Sequence, residues 1–72
     1  MEYQPYIEVD PQRRGGKACI KGTRIAVADI LDMLGDGMSF NEIIDDYPDL
    51  NSTKIRAALS YAAAQQRKGR AA

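Results

Sequence analysis

The sequence has no histidine and a single cysteine, Cys19, among its 72 residues. One thiol cannot close a disulfide inside the chain, and without histidine the usual structural zinc ligand sets cannot be assembled. The same absences bear on catalysis, because a lone thiol has no imidazole to activate it and the carboxylates lie on the outer sides of helical patterns, away from any apolar pocket that would raise a pKa. No enzymatic activity and no cofactor are therefore expected. Also missing is any apolar run near the roughly 18 residues that span a bilayer, and residues 1–6 show no basic stretch leading into an apolar one. A cytoplasmic protein with no membrane segment is the expectation.

What is present is a short chain with segregated charge. A single domain of this size has a core worth only roughly 3–5 kcal/mol, and with disulfide and zinc both excluded, oligomerisation is the ordinary remaining support. A homodimer is expected. Net charge is zero, yet residues 29–50 hold seven anions and no cation, while residues 51–72 hold five cations and no anion. A neutral molecule arranged in this way can still present one positive face, the electrostatic footprint of a nucleic-acid contact.

Period-two alternation through Tyr6, Ile7, Glu8 and Val9, ended by Asp10-Pro11, predicts a short strand. Gln12, Arg13, Arg14, Gly15 and Gly16 form a hairpin loop, and residues 17–21 the second strand, with Ala18 and Ile20 on one face. A two-stranded hairpin is marginal alone and must pack on helices or on a second copy. Val27, Ile30, Leu31 and Leu34 at i, i+3, i+4 and i+7 predict a first helix closed by Gly37, with Asp29, Asp32 and Asp36 on its opposite side. Ser39 and Glu42 fit a capping box, stapled by Met38 and Ile43, for a second helix whose inward stripe is Phe40, Ile43, Ile44 and Tyr47 and which Pro48 stops. Asn51 caps a third helix, with Leu50 and Ile55 at staple positions and Ile55, Ala58, Leu59 and Ala62 facing inward. The residues from Gln65 onward should fray.

The resulting architecture is mainly α: an N-terminal β-hairpin arm over residues 6–25, a three-helix helix-turn-helix over 26–66, and a basic tail over 67–72, all in one domain. A capped helix, a tight turn of about four residues, and a second helix with small and basic outward residues make the pattern of a helix-turn-helix pair. The outward wheel positions are Thr53, Arg56, Ala57 and Ser60, slim enough for the major groove, while Lys54 and Arg56 supply charge for phosphates or base edges. Lys54 in the first turn opposes the helix dipole by some tenths of a kcal/mol, which points to another use for it. The same spacing also fits a solvated helix face in a small bundle that serves only as a protein-binding scaffold.

Arg13, Arg14, Lys17, Lys21 and Arg24 suit an arm that grips backbone phosphates, and equally suit edge strands protected by charge against aggregation. Asp29, Asp32 and Asp36 are a candidate docking face for a basic protein partner, or a solvated side. Residues 16–23 lack the Gly-Lys-Ser/Thr ending that a phosphate loop requires.

Several of these residues also carry a family likeness. Gly16-Lys17, the run Cys19-Ile20-Lys21-Gly22-Thr23-Arg24-Ile25, Val27, Gly37-Met38-Ser39, Tyr47-Pro48, Ile55-Arg56-Ala57-Ala58-Leu59 and Tyr61-Ala62-Ala63 resemble the signature of the domain of unknown function 433 family, small prokaryotic proteins that include VapB-type antitoxin-like members. The likeness runs from about residue 7 to residue 64. It implies an N-terminal β segment, a homeodomain-like helix-turn-helix, binding to operator DNA and neutralisation of a nuclease-like PIN-type toxin. The chain departs from the pattern at Ala18 and Ala26, where prolines are common, and at Lys54, where an acid is. Losing the prolines loosens the hairpin and the start of the first helix, and Lys54 makes the third helix more basic at its start.

Overall fold

The computed structural model describes residues 1–12 and 14–69, with Arg14 described through its backbone alone. A one-turn 3-10 segment, Gln4–Tyr6, leads into strand β1, Ile7–Val9, which pairs antiparallel with β2, Ala18–Ile20. The register sets Ile7 opposite Ile20 and Val9 opposite Ala18, so the apolar positions of both strands share one face. Toward the loop that face runs off the core: Ile20 is fully buried, Ile7 is half-buried and Val9 is 51% exposed. The loop reverses through Gly15 and Gly16, with φ of 67° and 80°, a region open to glycine at little steric cost.

The turn after β2 is tied by one hydroxyl. Thr23 Oγ1 donates to the Ile20 carbonyl at 2.8 Å and accepts from the Ile25 N–H at 3.0 Å. The chain then crosses back beside the strand, where the Ile20 N–H donates to the Ile25 carbonyl and Cys19 bridges to Ala26. Helix α1, Val27–Gly35, starts from Ala26, which has no side chain to cap it; the Asp29 carboxylate instead accepts from the Ala26 N–H at 3.2 Å. Its far end is a Schellman closure: the Gly37 N–H donates to the Leu34 carbonyl and the Met38 N–H to the Met33 carbonyl, with Gly37 at φ 93°.

Helix α2, Phe40–Asp46, has the expected reciprocal cap. The Ser39 hydroxyl accepts from the Glu42 N–H at 3.1 Å and the Glu42 carboxylate accepts from the Ser39 N–H at 2.8 Å. Tyr47, placed in the inward stripe by periodicity, is 42% exposed, because Pro48 ends the helix before that position can complete a turn. Helix α3, Ser52–Gly69, is then capped by Asn51, whose Oδ1 accepts from the Lys54 N–H at 2.8 Å. It continues regularly past Gln65 to Gly69, so the expected fraying is not found there; residues 70–72 of the expected tail lie outside the described residues.

Ile20, Val27, Ile30, Ile43, Leu50, Ile55 and Ala58 form the core, drawn from β2, all three helices and the segment before α3. Among the described residues no polar or charged side chain is buried. Both predicted staples hold as packing: Leu50 and Ile55 are buried together, and Met38 packs half-buried against the cluster that contains Ile43.

Candidate nucleic-acid interface

The site expected from sequence rests on α3, and its orientation differs from the simple wheel. Ala57 is 0% exposed, whereas Leu59 is 39% exposed. Ala57 is thus withdrawn from the groups that can touch a base, and Leu59 from the inward stripe. The cause is that α3 is covered on two sides. It packs on α1 and α2, and also on β1 and the 3-10 segment. Its buried arc therefore includes both Ile55 and Ala57, roughly 160° apart around the axis at 3.6 residues per turn. A four-residue stripe read from spacing underestimates that arc.

What remains exposed on α3 is a strip of Ser52, Thr53, Arg56, Leu59, Ala63 and Arg67, with Ser60 half-exposed beside it. Arg56 sits near its middle. Short hydroxyl and methyl side chains surround the guanidinium, so a planar, five-donor group stands on a slim ridge. No carboxylate lies anywhere in residues 51–69. Ser52, Leu59 and Ala63 belong to this strip but were absent from the sequence-derived set; the extent of burial on the other side, which rotates the strip, is a tertiary fact.

Lys54 has a local use. Its ammonium donates to the Asp49 carbonyl at 2.7 Å, reaching back across the turn that joins α2 to α3. A cation that opposed the dipole with no compensation would have argued for an external partner, but this contact offsets the cost by satisfying a turn carbonyl. The lysine is half-buried, and Arg56 is the better presented cation of the two.

Lys21 and Arg24 are exposed on the turn between β2 and α1, and the Lys21 backbone N–H donates to the Tyr6 carbonyl at 2.8 Å, which holds that turn to the N-terminal segment. They belong to a different element from the α3 strip. Arg13 lies outside the described residues, and Arg14 contributes backbone to the 3-10 turn Arg14–Gly16. Of the acidic set, Asp29, Asp32 and Asp36 are all exposed, and Asp29 is engaged at the start of α1. Cys19 is half-buried on β2, the small strand residue its neighbours suggest. Among the described residues no group of three or more Cys, Asp or Glu side chains comes together as a metal site, and no helix is long and apolar enough to cross a membrane.

Known proteins with this arrangement are similar over nearly the whole chain. A crystal structure of a DUF433 member protein from Anabaena variabilis ATCC 29413 superposes with a TM-score of 0.82 at 29% identity, over 90% of this chain and 64% of that one. The uncharacterized protein y4eO of Sinorhizobium fredii (strain NBRC 101917 / NGR234) is 35% identical over 60 residues, which cover 83% of this chain and 27% of the relative. The chain thus spans about a quarter of one relative and less than two thirds of the other. The model of the family described as "Protein of unknown function (DUF433)" matches residues 7–62, and with the fold, the hairpin and the three helices in the same order, the chain belongs to the DUF433 family.

Proposed function

We propose that this domain binds double-stranded operator DNA through the exposed strip of α3, as the DNA-binding half of an antitoxin. The observation that carries the reading is the strip itself: Arg56 flanked by Ser52, Thr53, Ser60 and Ala63 on a capped helix whose residues 51–69 hold no carboxylate, behind a separately capped α2. Slim neighbours let the helix approach base edges, and an arginine among them pairs bidentately with the O6 and N7 of guanine. Thr53 and Ser60 suit phosphates or base edges. Arg67, Lys21 and Arg24, with Arg13 and Arg14 of the loop, add phosphate contacts that fix register and carry no sequence information. The seven anions of residues 29–50 stay off this helix, which keeps them from opposing a polyanion.

The antitoxin role rests on the likeness to VapB-type proteins, with Asp29, Asp32 and Asp36 as the face offered to a basic, nuclease-like toxin of PIN type. Two measurements test the reading. Fluorescence anisotropy with duplex from upstream of the gene should give tighter binding than random duplex, and affinity should fall steeply as salt rises because each phosphate contact releases counterions. Equal affinity for both duplexes at low salt would leave no operator binding, and a near-zero salt slope would favour the protein-binding scaffold. Co-expression with the toxin of the neighbouring gene should restore growth, and continued growth arrest would remove the antitoxin role.

A further inference from the structure

A groove of about 350 Å³ lies between α1 and the C-terminal half of α3. Its apolar lining is made largely of small side chains, Ala18, Ala28 and Ala62, with Leu31, and its polar groups include Lys17 and Gln65. The groove exists because the helices are unequal. At 18 residues α3 is about 27 Å long, twice the length of α1 with nine, so its last turns run past anything in the chain that could cover them. All the buried residues of α3 lie at Ile55, Ala57 and Ala58, before the groove begins at Tyr61.

We propose that this groove is the dimer interface and that its occupant is a second copy of the same chain. Charge selects the occupant. The α1 wall carries Asp29 and Asp32 and no cation, the α3 wall carries Lys54, Arg56, Arg67 and Lys68 and no anion, and Lys17 lines the groove itself. A two-fold interface repeats every contact with the roles exchanged, so a patch bearing one sign repels its own copy and a patch bearing both attracts it. Asp32 stands one turn beyond Ala28 on the exposed side of α1, and it pairs across the axis with Lys17 of the second copy. The formal net charge of zero adds no long-range repulsion between copies. Small side chains on both helices let the backbones approach closely, as ridge-and-groove packing requires.

This interface does not depend on DNA binding. Gln65 and Ala62 face the groove, while Arg56 and Thr53 lie near the other end of α3 on its outer side, so pairing leaves the α3 strip free in both copies.

Sedimentation equilibrium of the full chain without DNA, over roughly 10 µM to 1 mM, tests the proposal. A dimer is expected. Ala28→Glu places a charge on a residue exposed in the single chain, so far-UV circular dichroism should be unchanged while the dimer dissociation constant rises about tenfold or more. Asp32→Lys should weaken the dimer too, and combining it with Lys17→Glu should recover affinity. A monomer at 1 mM, a dimer indifferent to Ala28→Glu, or a double reversal no tighter than the single one would each overturn the proposal. Arg56→Ala should leave the dimer intact, so failure of the DNA reading registers in the anisotropy titration and not here.

Discussion

The two halves of α3 are one helix under two regimes. In the first half Ile55, Ala57 and Ala58 are completely buried and the helix start is fixed by Asn51 and by the Lys54 ammonium on the Asp49 carbonyl. In the second half no residue is fully buried; Tyr61 meets Tyr3 edge to face at 5.5 Å, and beyond it the inward side opens onto the groove. The first half is held by the domain and offers its outer side to a ligand. The second half is held by helical continuity and offers its inner side. Function attaches to opposite sides of the same element because coverage, and not composition, changes along it.

The comparison breaks most severely at Ile55. Truncation to alanine removes a fully buried branched side chain from the one cluster that joins all three helices, at a cost of about 2–5 kcal/mol. In a domain this small that is most of the stability, so urea melts should show a folded baseline shortened or lost. Gln65→Ala, an equal truncation in the second half, should leave the midpoint nearly unchanged.

Ala57 and Arg56 sharpen the contrast between the inner and outer sides of the first half. Ala57→Leu forces extra methyl groups into a site with no exposure and should lower stability by about 1–3 kcal/mol, read as a shift of the urea midpoint. An unchanged midpoint would return Ala57 to the outer strip. Arg56→Ala should do the reverse, leaving the melt in place and lowering operator affinity by about 1–3 kcal/mol, with relaxed preference at one base pair. A uniform loss across all sequences would make Arg56 a phosphate contact only.

Helix starts separate what can be read locally from what cannot. Ser39→Ala should cost about 1 kcal/mol, because it leaves the Glu42 N–H without its acceptor, and that cap is legible in sequence as Ser39 with Glu42 three residues on. The start of α1 is not legible in the same way. Ala26 cannot cap, and the work is divided between the Asp29 carboxylate and the Thr23 hydroxyl, whose contacts require the chain to have already turned back along β2. The same division explains the site. Arg56, Thr53 and Ser60 were legible from helical spacing, as were the hairpin, its shared apolar face and the Gly37 closure. The exchange of Ala57 for Leu59 was not, because alanine carries no signal of its side and because β1 and the 3-10 segment reach α3 from far away in sequence. The groove was hidden for a related reason: its lining comes from three separate segments and follows from relative helix length.

The smallest expected effect tests that exchange most directly. Leu59 is an apolar residue left 39% exposed one turn from Arg56, on the strip of hydroxyls and methyls. Had it belonged to the inward stripe, Leu59→Ser would open the core and cost several kcal/mol. On the exposed side the substitution removes little buried area and lies away from any cap or ion pair, so the expected change in stability is within about 0.5 kcal/mol. A urea midpoint that stays in place for Leu59→Ser while Ala57→Leu moves it would fix the rotation of α3 by two neighbouring residues of opposite response. A large shift for Leu59→Ser would instead turn the helix back toward the stripe read from spacing, and with it move the centre of the candidate DNA face from Arg56 toward Ala57 and Ser60.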